Sequence, residues 1–362
     1  MTALTPRMLR WGAPVAAAAA AAVVASGVLS AKADPPLPAK TAAQLLADVQ
    51  GARVAGMSGT VVQTSDLGLP ELPTSGPGAT SSIASLLTGS HTLRVWMAGD
   101  ARQRVALLGP LGESDVVRNG RDVWVWSSEE RKATHYRLPP AAATTRPEVP
   151  LPSGVTPQEA AERALAAIDP TTSVTTDGTG QVAGRDAYEL VLAPKDGRSL
   201  IGQVRLAVDA ATSVPLRVQV FGRASSDGPA FSIGFTKVSF GVPGPEQFRF
   251  TPPPDTRVTE GTLPTDTERH PTPAEVAKAN SAVTVVGTGW TSVAVIRGVS
   301  AGAGSTETGP LAAVMRSLQP VTGSWGSGRL LTSRLVSALI TDDGRLIVGA
   351  VPPELLYAAA GK

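Results

Sequence analysis

The spacing of apolar residues changes along the chain, and each change predicts a different kind of element. Between positions 41 and 54, Leu45, Leu46 and Val49 lie on one helical stripe, which predicts a helix capped by Thr41. From Gly59 onward apolar and polar residues alternate, as they do in a strand with one buried face. Strands are predicted around position 61 and at 93–97, 104–108, 122–126, 174–176, 187–193, 203–208, 215–221 and 231–240.

Local signals mark the turns and the remaining helices. Asn119-Gly120 and Asp342-Asp343-Gly344 are both typical of tight hairpin turns. Thr156-Pro157-Gln158-Glu159 predicts the start of a second helix that runs to about position 168, because a capping Thr is followed by Pro and Glu in the first turn. Towards the C-terminus, helices are predicted at 273–279, 311–318 and 352–360, and strands at 282–286, 291–296, 335–341 and 346–350.

The N-terminal segment has the pattern of an export signal. Arg7 and Arg10 precede an uncharged apolar run at 11–31, and Ala31-Lys32-Ala33 supplies small residues for cleavage. A run of about 20 residues also reaches across a bilayer at 1.5 Å per residue. Residues 1–33 are therefore predicted to be a signal peptide or a membrane anchor, and both alternatives place the rest of the chain outside the cytoplasm.

Polar and proline-rich breaks predict the domain boundaries. Residues 41–258 are predicted to form one long β-domain, 259–273 a linker, and 274–362 a small α+β domain. The first domain has a Gly-, Pro-, Ser- and Thr-rich insertion at 67–90 and a proline-rich break at 139–152. About ten strands in one sheet predict that the sheet curls or closes, since large sheets rarely stay flat.

The charge and the cysteine count exclude several classes of function. Lys and Arg number 32 against 30 Asp and Glu, so the net charge is only +2, and no basic run is dense enough to follow a nucleic-acid backbone. Cysteine is absent, which excludes disulfides, thiol nucleophiles and lipidation at an N-terminal Cys. No cofactor and no nucleic-acid partner is predicted.

Catalytic and metal-binding patterns are weak. The segment 298–302 matches the G-x-S-x-G pattern, but that motif needs a helix after its Ser and a later His, and the sequence has no His beyond His270. His91, His135 and His270 lack the spacing of metal ligands and are interpreted as isolated surface or loop residues. We therefore expect no enzyme activity and no bound metal.

Four segments in order resemble the LolA/RseB family of lipoprotein carriers and envelope sensors. Residues 119–126 (NGRDVWVW) resemble its polar turn followed by an aromatic strand, and 182–190 (VAGRDAYEL) resemble its G-R-x-A-Y-x-L strand start. Residues 204–220 resemble its hairpin with Asp at the end of one strand and Pro-Leu-Arg at the start of the next. Residues 248–254 (FRFTPPP) resemble the end of its domain, and the tail at 343–353 resembles LolA-like envelope proteins of actinobacteria.

This resemblance implies a fold and a kind of site. The implied fold class is α+β: a curled, half-open antiparallel β-barrel of about ten strands with lid helices, plus a small C-terminal α+β domain. The two predicted helices would form the lid over an apolar cavity that takes acyl chains. The residues predicted to line this cavity alternate with charged ones along their strands, or are aromatic: Leu93, Val95, Met97, Val105, Leu107, Trp124, Trp126, Leu206, Val208, Val218 and Val220. The alternative is that these side chains simply pack against the helices.

Two functions follow from the resemblance. The first is an extracytoplasmic carrier, at the outer face of the cell membrane, that binds an acyl lipid or lipoprotein. The second is an RseB-like regulatory sensor that binds a membrane protein such as an anti-sigma factor, with the C-terminal domain supplying the interface. A purely structural adhesion module is a third interpretation.

Overall fold

A computed structural model describes most of the chain from position 37 onward. The described residues are 37–69, 89–109, 112–139, 156–224, 228–261, 283–298 and 318–361. The export segment and most of the predicted insertion and linker lie outside the described residues. So do the helix predicted at 273–279, all but the last residue of the helix predicted at 311–318, Ser300 and His270. The described residues include no helix with the length and apolarity needed to cross a membrane.

Strands dominate the described residues, with three α-helices between them. The helices are α1 (Ala42–Gly51), α2 (Pro157–Ala166) and α3 (Pro353–Ala360). The first eleven strands are β1 (Gly56–Ser65), β2 (Gly89–Ala98), β3 (Arg102–Leu108), β4 (Glu113–Asn119), β5 (Asp122–Ser127), β6 (Lys132–Arg137), β7 (Thr172–Val182), β8 (Arg185–Pro194), β9 (Ile201–Asp209), β10 (Pro215–Gly222) and β11 (Phe231–Ser239). The remaining strands are β12 (Arg257–Gly261), β13 (Val283–Val286), β14 (Val293–Arg297), β15 (Gln319–Gly323), β16 (Gly326–Thr332), β17 (Ser337–Thr341) and β18 (Arg345–Gly349).

Both predicted helix starts are confirmed as capping boxes. The Thr41 hydroxyl accepts the backbone N–H of Gln44, and the Gln44 side chain accepts the N–H of Thr41. Thr156 and Glu159 form the same reciprocal pair at the start of α2. These bonds satisfy N–H groups that the first turn of a helix otherwise leaves unpaired, so α1 and α2 begin at fixed residues.

The first sheet is an open sheet of twelve strands rather than a closed barrel. Its order is β12-β6-β5-β4-β3-β2-β1-β11-β10-β9-β8-β7, and all neighbours are antiparallel except β12 and β6. The expected number of about ten strands is too low. Three of the strands were not predicted. The sequence of β4, Glu-Ser-Asp-Val-Val-Arg-Asn, lacks clean alternation, and no strand was assigned to the residues of β6. Strand β12 extends the sheet to Gly261, beyond the predicted end of the domain at 258.

The strand register separates the sheet into two faces. The face that carries Leu93, Val95, Leu206 and Val218 is mostly apolar and buried, and we call it the apolar face. Arg94, Arg104, Arg205 and Arg217 alternate with these residues and lie on the other face, which we call the polar face. The alternation predicted from the sequence is thus confirmed along β2, β3, β9 and β10.

The second sheet is a separate six-stranded antiparallel sheet in the order β13-β14-β18-β17-β16-β15. Helix α3 packs on it through Leu356, Ala359 and Ala360, which join a buried cluster with Leu339 and Ile347. The predicted turn at Asp342–Gly344 is confirmed between β17 and β18, with Gly344 in the left-handed region at φ 83°. The end of the chain is therefore α+β, as expected.

Arg334, between β16 and β17, ties the second sheet to the first. Its backbone N–H donates to Leu67 O at 2.8 Å, and its guanidinium donates to the Asp66 carboxylate at 2.6 Å and to Gly228 O at 2.9 Å. Elsewhere in the contact, Leu200 N–H donates to Ala350 O at 2.8 Å. Residues from Ala39 onward form one compact unit, so the two sheets are in direct contact.

Trp290, just before β14, makes a second contact between the sheets. Its indole N–H donates to the Thr172 hydroxyl of β7 at 2.7 Å. Gly289 has φ 57°, and a Cβ at this position would lie 2.2 Å from the Thr171 hydroxyl. Only glycine therefore allows the second sheet to approach β7 this closely.

Removal of the Arg334 side chain is expected to loosen this contact. Arg334→Ala loses bonds to main-chain and carboxylate oxygens, so we expect a loss of about 1–2 kcal/mol in the free energy of unfolding. Hydrogen exchange at the Leu200 amide should also become faster. The control is Arg329→Ala, in the same sheet, because that guanidinium makes only a 3.4 Å bond to Leu318 O in the described part of the chain. Unchanged exchange at Leu200 in the Arg334 variant would contradict this role.

Candidate functional site

A cleft of about 400 Å³ lies between α1 and α2. Its apolar lining consists of Val49, Ala161, Leu165, Ala166 and Pro215, the first residue of β10. Its polar lining consists of Gln50, Arg53, Gln158 and Glu162. The cleft therefore combines an apolar surface with polar and charged groups, which is the arrangement that an amphiphilic ligand needs.

The first sheet positions the two helices. Helix α2 packs on β10 and β11, with Ala161 fully buried, whereas α1 contacts β7 and β8 and buries Leu45. Lys40, just before α1, bonds to Asp48 at 2.7 Å and lies 5.1 Å from the ring centre of Tyr188 in β8. Both walls of the cleft are thus held by separate contacts with the sheet.

The polar groups of the cleft are held near the helix surfaces. The Arg53 guanidinium donates to Ala52 O at 2.7 Å and to Gln50 O at 3.2 Å, at the carbonyl end of α1. On α2, the Gln158 amide donates to the Glu162 carboxylate at 3.1 Å. Arg53 and Glu162 are both exposed, so each charge stays in contact with water while the apolar groups form the wall.

The predicted cavity residues lie elsewhere. Nine of them share the apolar face: Leu93, Val95, Met97, Val105, Leu107, Leu206, Val208, Val218 and Val220. Six of these nine are almost fully buried, with exposed fractions of 6% or less, and none lines the cleft between α1 and α2. A role for these residues in ligand binding stays a prediction. In the structure six of them belong to the buried core, and Met97, Val105 and Val220 are half-buried.

Trp124 and Trp126 require a correction, because they lie on the polar face. Trp124 is paired with Val117 and Trp126 with Asp115, so both indoles point away from the face that carries Val105 and Val116. Their rings pack against Phe250, at centroid distances of 5.3 and 6.1 Å. Paired residues on adjacent strands point to the same face of a sheet. The two tryptophans therefore lie on the opposite face from the nine apolar residues.

Asp115 is a buried carboxylate on the polar face, next to Trp126. Its side chain is 2% exposed and accepts from the Arg104 guanidinium at 2.5 Å. Arg104 also stacks over the ring of Trp96 at 5.2 Å. Burial of Asp115 raises the pKa of its carboxyl to about 6, in spite of the neighbouring Arg104, and Glu113 adds to the rise.

The raised pKa of Asp115 predicts a specific pH dependence of stability. The folded state binds this proton more tightly than the unfolded state, whose pKa is about 3.8, so Asp115 contributes stability below pH 3.8 that is lost as the pH rises through about 6. We expect Asp115→Asn to flatten this part of the profile of melting temperature against pH.

The control for this prediction is Asp196→Asn. Hydrogen bonds from Arg198 lower the pKa of Asp196 to about 2. Its stabilising contribution is present above pH 3.8 and is lost only as the pH falls through about 2. The control should therefore keep the wild-type slope of melting temperature against pH between pH 3.8 and 6. If Asp115→Asn has the same slope as the wild type in this range, Asp115 is not the origin of the pH dependence.

His135 is more than the isolated surface residue that the sequence predicts. Its Nε2 lies 3.0 Å from the Asp122 carboxylate and its Nδ1 lies 3.0 Å from the Glu260 carboxylate of β12. The ring stacks on Trp124 at a centroid distance of 4.4 Å. His135 therefore joins three strands of the polar face, and Glu260, 125 residues away in sequence, gives no local signal of this contact.

The residues of the cleft itself were missed by the sequence analysis. Val49 was assigned to the apolar stripe of α1, but the stripe does not reveal which of its members faces another helix. In α2, Gln158, Ala161, Glu162 and Leu165 recur at spacings of three and four, so they share one face of that helix. This mixture of polar and apolar residues on one face is the sequence feature that indicates an incompletely buried surface on α2.

The chain is similar to several solved structures. One is the MucA/MucB complex of Pseudomonas aeruginosa, at 16% identity and a TM-score of 0.44, covering 88% of this chain and 96% of that one. A LolA superfamily protein of Nitrosomonas europaea matches at 13% identity and 0.22, covering 59% and 99%. A putative outer membrane lipoprotein-sorting protein domain of Vibrio parahaemolyticus matches at 11% and 0.23, covering 57% and 97%.

A MucB structure and a LolA superfamily protein are thus among the solved structures that this chain matches. These similarities are likenesses of fold at low identity. No protein-family model and no curated protein matches the chain.

Proposed function

We propose that this chain is an extracytoplasmic binding protein that shelters an acyl group in the cleft between α1 and α2. The observation that carries the proposal is the cleft itself, with Val49, Leu165 and Pro215 on its apolar wall and charged groups beside it. Each methylene that leaves water for such a wall contributes about 0.8 kcal/mol. A cleft of this kind suits a ligand with an apolar chain and a polar head.

The side chains that line the cleft support a binding role more than a catalytic one. Its polar groups are one Arg, one Glu and two amides, and Arg53 and Gln158 are already bonded to neighbouring groups. The apolar face beneath the helices is packed and buried, so it supports the helices and does not need to contact the ligand. The export pattern at residues 1–33 fits a protein that meets lipids at the outer surface of a membrane.

The test is native mass spectrometry with lipid extraction on the full chain, purified without detergent from an exporting host. We expect an acylated species bound to the wild-type protein. Leu165→Trp, which fills the cleft with an indole, should remove it. Arg163→Trp is the matched control, because Arg163 is exposed on the same helix and does not line the cleft.

Two results would contradict the proposal. One is wild-type protein that carries no acyl species and takes none up from added lipid. The other is equal binding by the Leu165 and Arg163 variants, which would place the ligand outside the cleft. Circular dichroism of both variants shows whether the helices still form.

A second candidate function is a regulatory sensor that binds a membrane protein, and one observation favours it. Strand β13 is at one end of the second sheet, and Val283 and Val285 on it are 44% and 63% exposed. An end strand with exposed β-branched residues is suited to pair with a strand from another protein. In this interpretation, cross-linking in cells captures one membrane protein, and Val285→Lys abolishes the capture while the Leu165→Trp cleft variant keeps it.

A further inference from the structure

We infer that the central part of the polar face docks on an anionic lipid surface. This part, which we call the basic surface, is the polar face of the five adjacent strands β10, β11, β1, β2 and β3. The inference goes beyond the proposed function, because the basic surface is separate from the cleft between α1 and α2. It follows from three properties of these strands: the sign of their charges, the face on which the charges lie and the partners that the charges have.

Charges of one sign are segregated on these strands. The chain as a whole is nearly balanced, with 32 Lys and Arg against 30 Asp and Glu. No residue of the five strands is Asp or Glu, whereas five residues are basic: Arg94, Arg102, Arg104, Arg217 and Lys237. A face that only keeps a protein soluble normally mixes both signs, so this segregation indicates a surface with a charged partner.

The strand register places all five basic residues on the polar face. Arg94 of β2 and Lys237 of β11 both pair with Thr60 of β1, from opposite sides. Arg102 lies two residues before Arg104 on β3 and therefore shares its face. The outermost of the five strands are four strand spacings apart, which is about 19 Å. The charges are thus spread over a broad sheet surface, which suits a membrane better than a single small anion.

Two of the cations carry charge that no carboxylate of the described residues neutralises. Arg94 and Lys237 are both exposed, and neither forms an ion pair within the part of the chain that the structure describes. Arg217 and Arg104, in contrast, are already paired with carboxylates, at 2.6 and 2.5 Å. The charge available to an external partner therefore lies on β2 and β11, on either side of β1.

An anionic lipid surface complements these features. Its negative potential attracts basic residues that come within a Debye length, which is about 8 Å at physiological salt. On β1, β2 and β11 the polar face carries no charge besides Arg94 and Lys237. Several of its other side chains have a hydroxyl that can donate to a phosphate oxygen: Ser58, Thr60, Thr64, Thr92 and Ser232. The export pattern at residues 1–33 is consistent with a location beside a membrane.

Docking by the basic surface would leave the cleft accessible. Pro215, in the wall of the cleft, pairs with Val208 of the apolar face. Lys40, just before α1, lies over the ring of Tyr188, which also pairs with Val208. The cleft and the basic surface are therefore on opposite sides of the sheet, and loss of membrane docking is expected to leave ligand binding in the cleft unchanged.

The test is co-sedimentation of the full chain with lipid vesicles, made either of phosphatidylcholine alone or of phosphatidylcholine mixed with phosphatidylglycerol. We expect tighter binding to the anionic vesicles, and this preference should disappear at about 1 M salt, where the Debye length falls to about 3 Å. Arg94→Gln combined with Lys237→Gln should weaken binding to the anionic vesicles about 25-fold, since each basic residue near such a surface contributes about fivefold.

The matched control is Arg163→Gln combined with Lys195→Gln, which removes the same charge from two exposed residues outside the five strands. It should bind the anionic vesicles nearly as tightly as the wild type. Arg94→Lys keeps the charge and should also bind as the wild type does, which separates a loss of charge from a loss of fold. Residues 1–33 are identical in all of these proteins, so the comparison isolates the basic surface.

Two results would overturn the inference. One is wild-type protein that binds neutral and anionic vesicles equally, or neither, which would leave an acidic protein as the partner to seek. The other is an equal loss of binding in the double variant and in its control, because the effect would then come from net charge alone. Acyl binding in the cleft is measured separately by mass spectrometry, so this inference and the proposed function can fail independently.

Discussion

The pairing of β1 with β11 is the contact on which the large sheet depends. It joins two antiparallel halves, β2 to β6 on one side and β7 to β10 on the other, across about 175 residues of sequence. The strands approach closely at Gly59, where a Cβ atom would lie 2.5 Å from Lys237 O and 2.8 Å from the Phe235 ring. This pairing makes one continuous apolar face out of two local meanders. It also brings α1, which directly precedes β1 in the chain, to the half of the sheet that α2 contacts.

The sequence predicted the local elements better than their assembly. Capping residues and alternation are local signals, so Thr41, Thr156 and the faces of β2, β9 and β10 could be assigned from the chain alone. Strand β4 could not, because Asp115 and Arg118 are buried in it and its alternation is masked. Strand β12 pairs in parallel with a strand more than a hundred residues earlier, and short-range patterns contain no information on such a partner.

The cleft between α1 and α2 was not predicted, for a related reason. The alternation of apolar and polar residues along a strand shows which side chains are buried, but it does not distinguish a packed core from the wall of a cavity. Leu206 and Val218 are buried in the sheet, whereas the cleft is lined by apolar and polar residues together, such as Leu165 and Arg53, most of them on the helices. The lining of the cleft is partly apolar and partly polar, so the alternation of apolar residues along strands gives no signal of it. The cleft lies between two helices that are more than a hundred residues apart in the sequence, so local patterns could not predict it.

The central claim is that an acyl chain lies between α1 and α2 and does not enter the packed face of the sheet. The most direct measurement is photo-cross-linking with a fatty acid that carries a diazirine near its methyl end, followed by peptide mass spectrometry. We expect cross-links to Val49, Leu165 or Pro215. Cross-links concentrated at Val95, Leu206 or Val218 would contradict it and would show that the helices open to admit the chain to the apolar face.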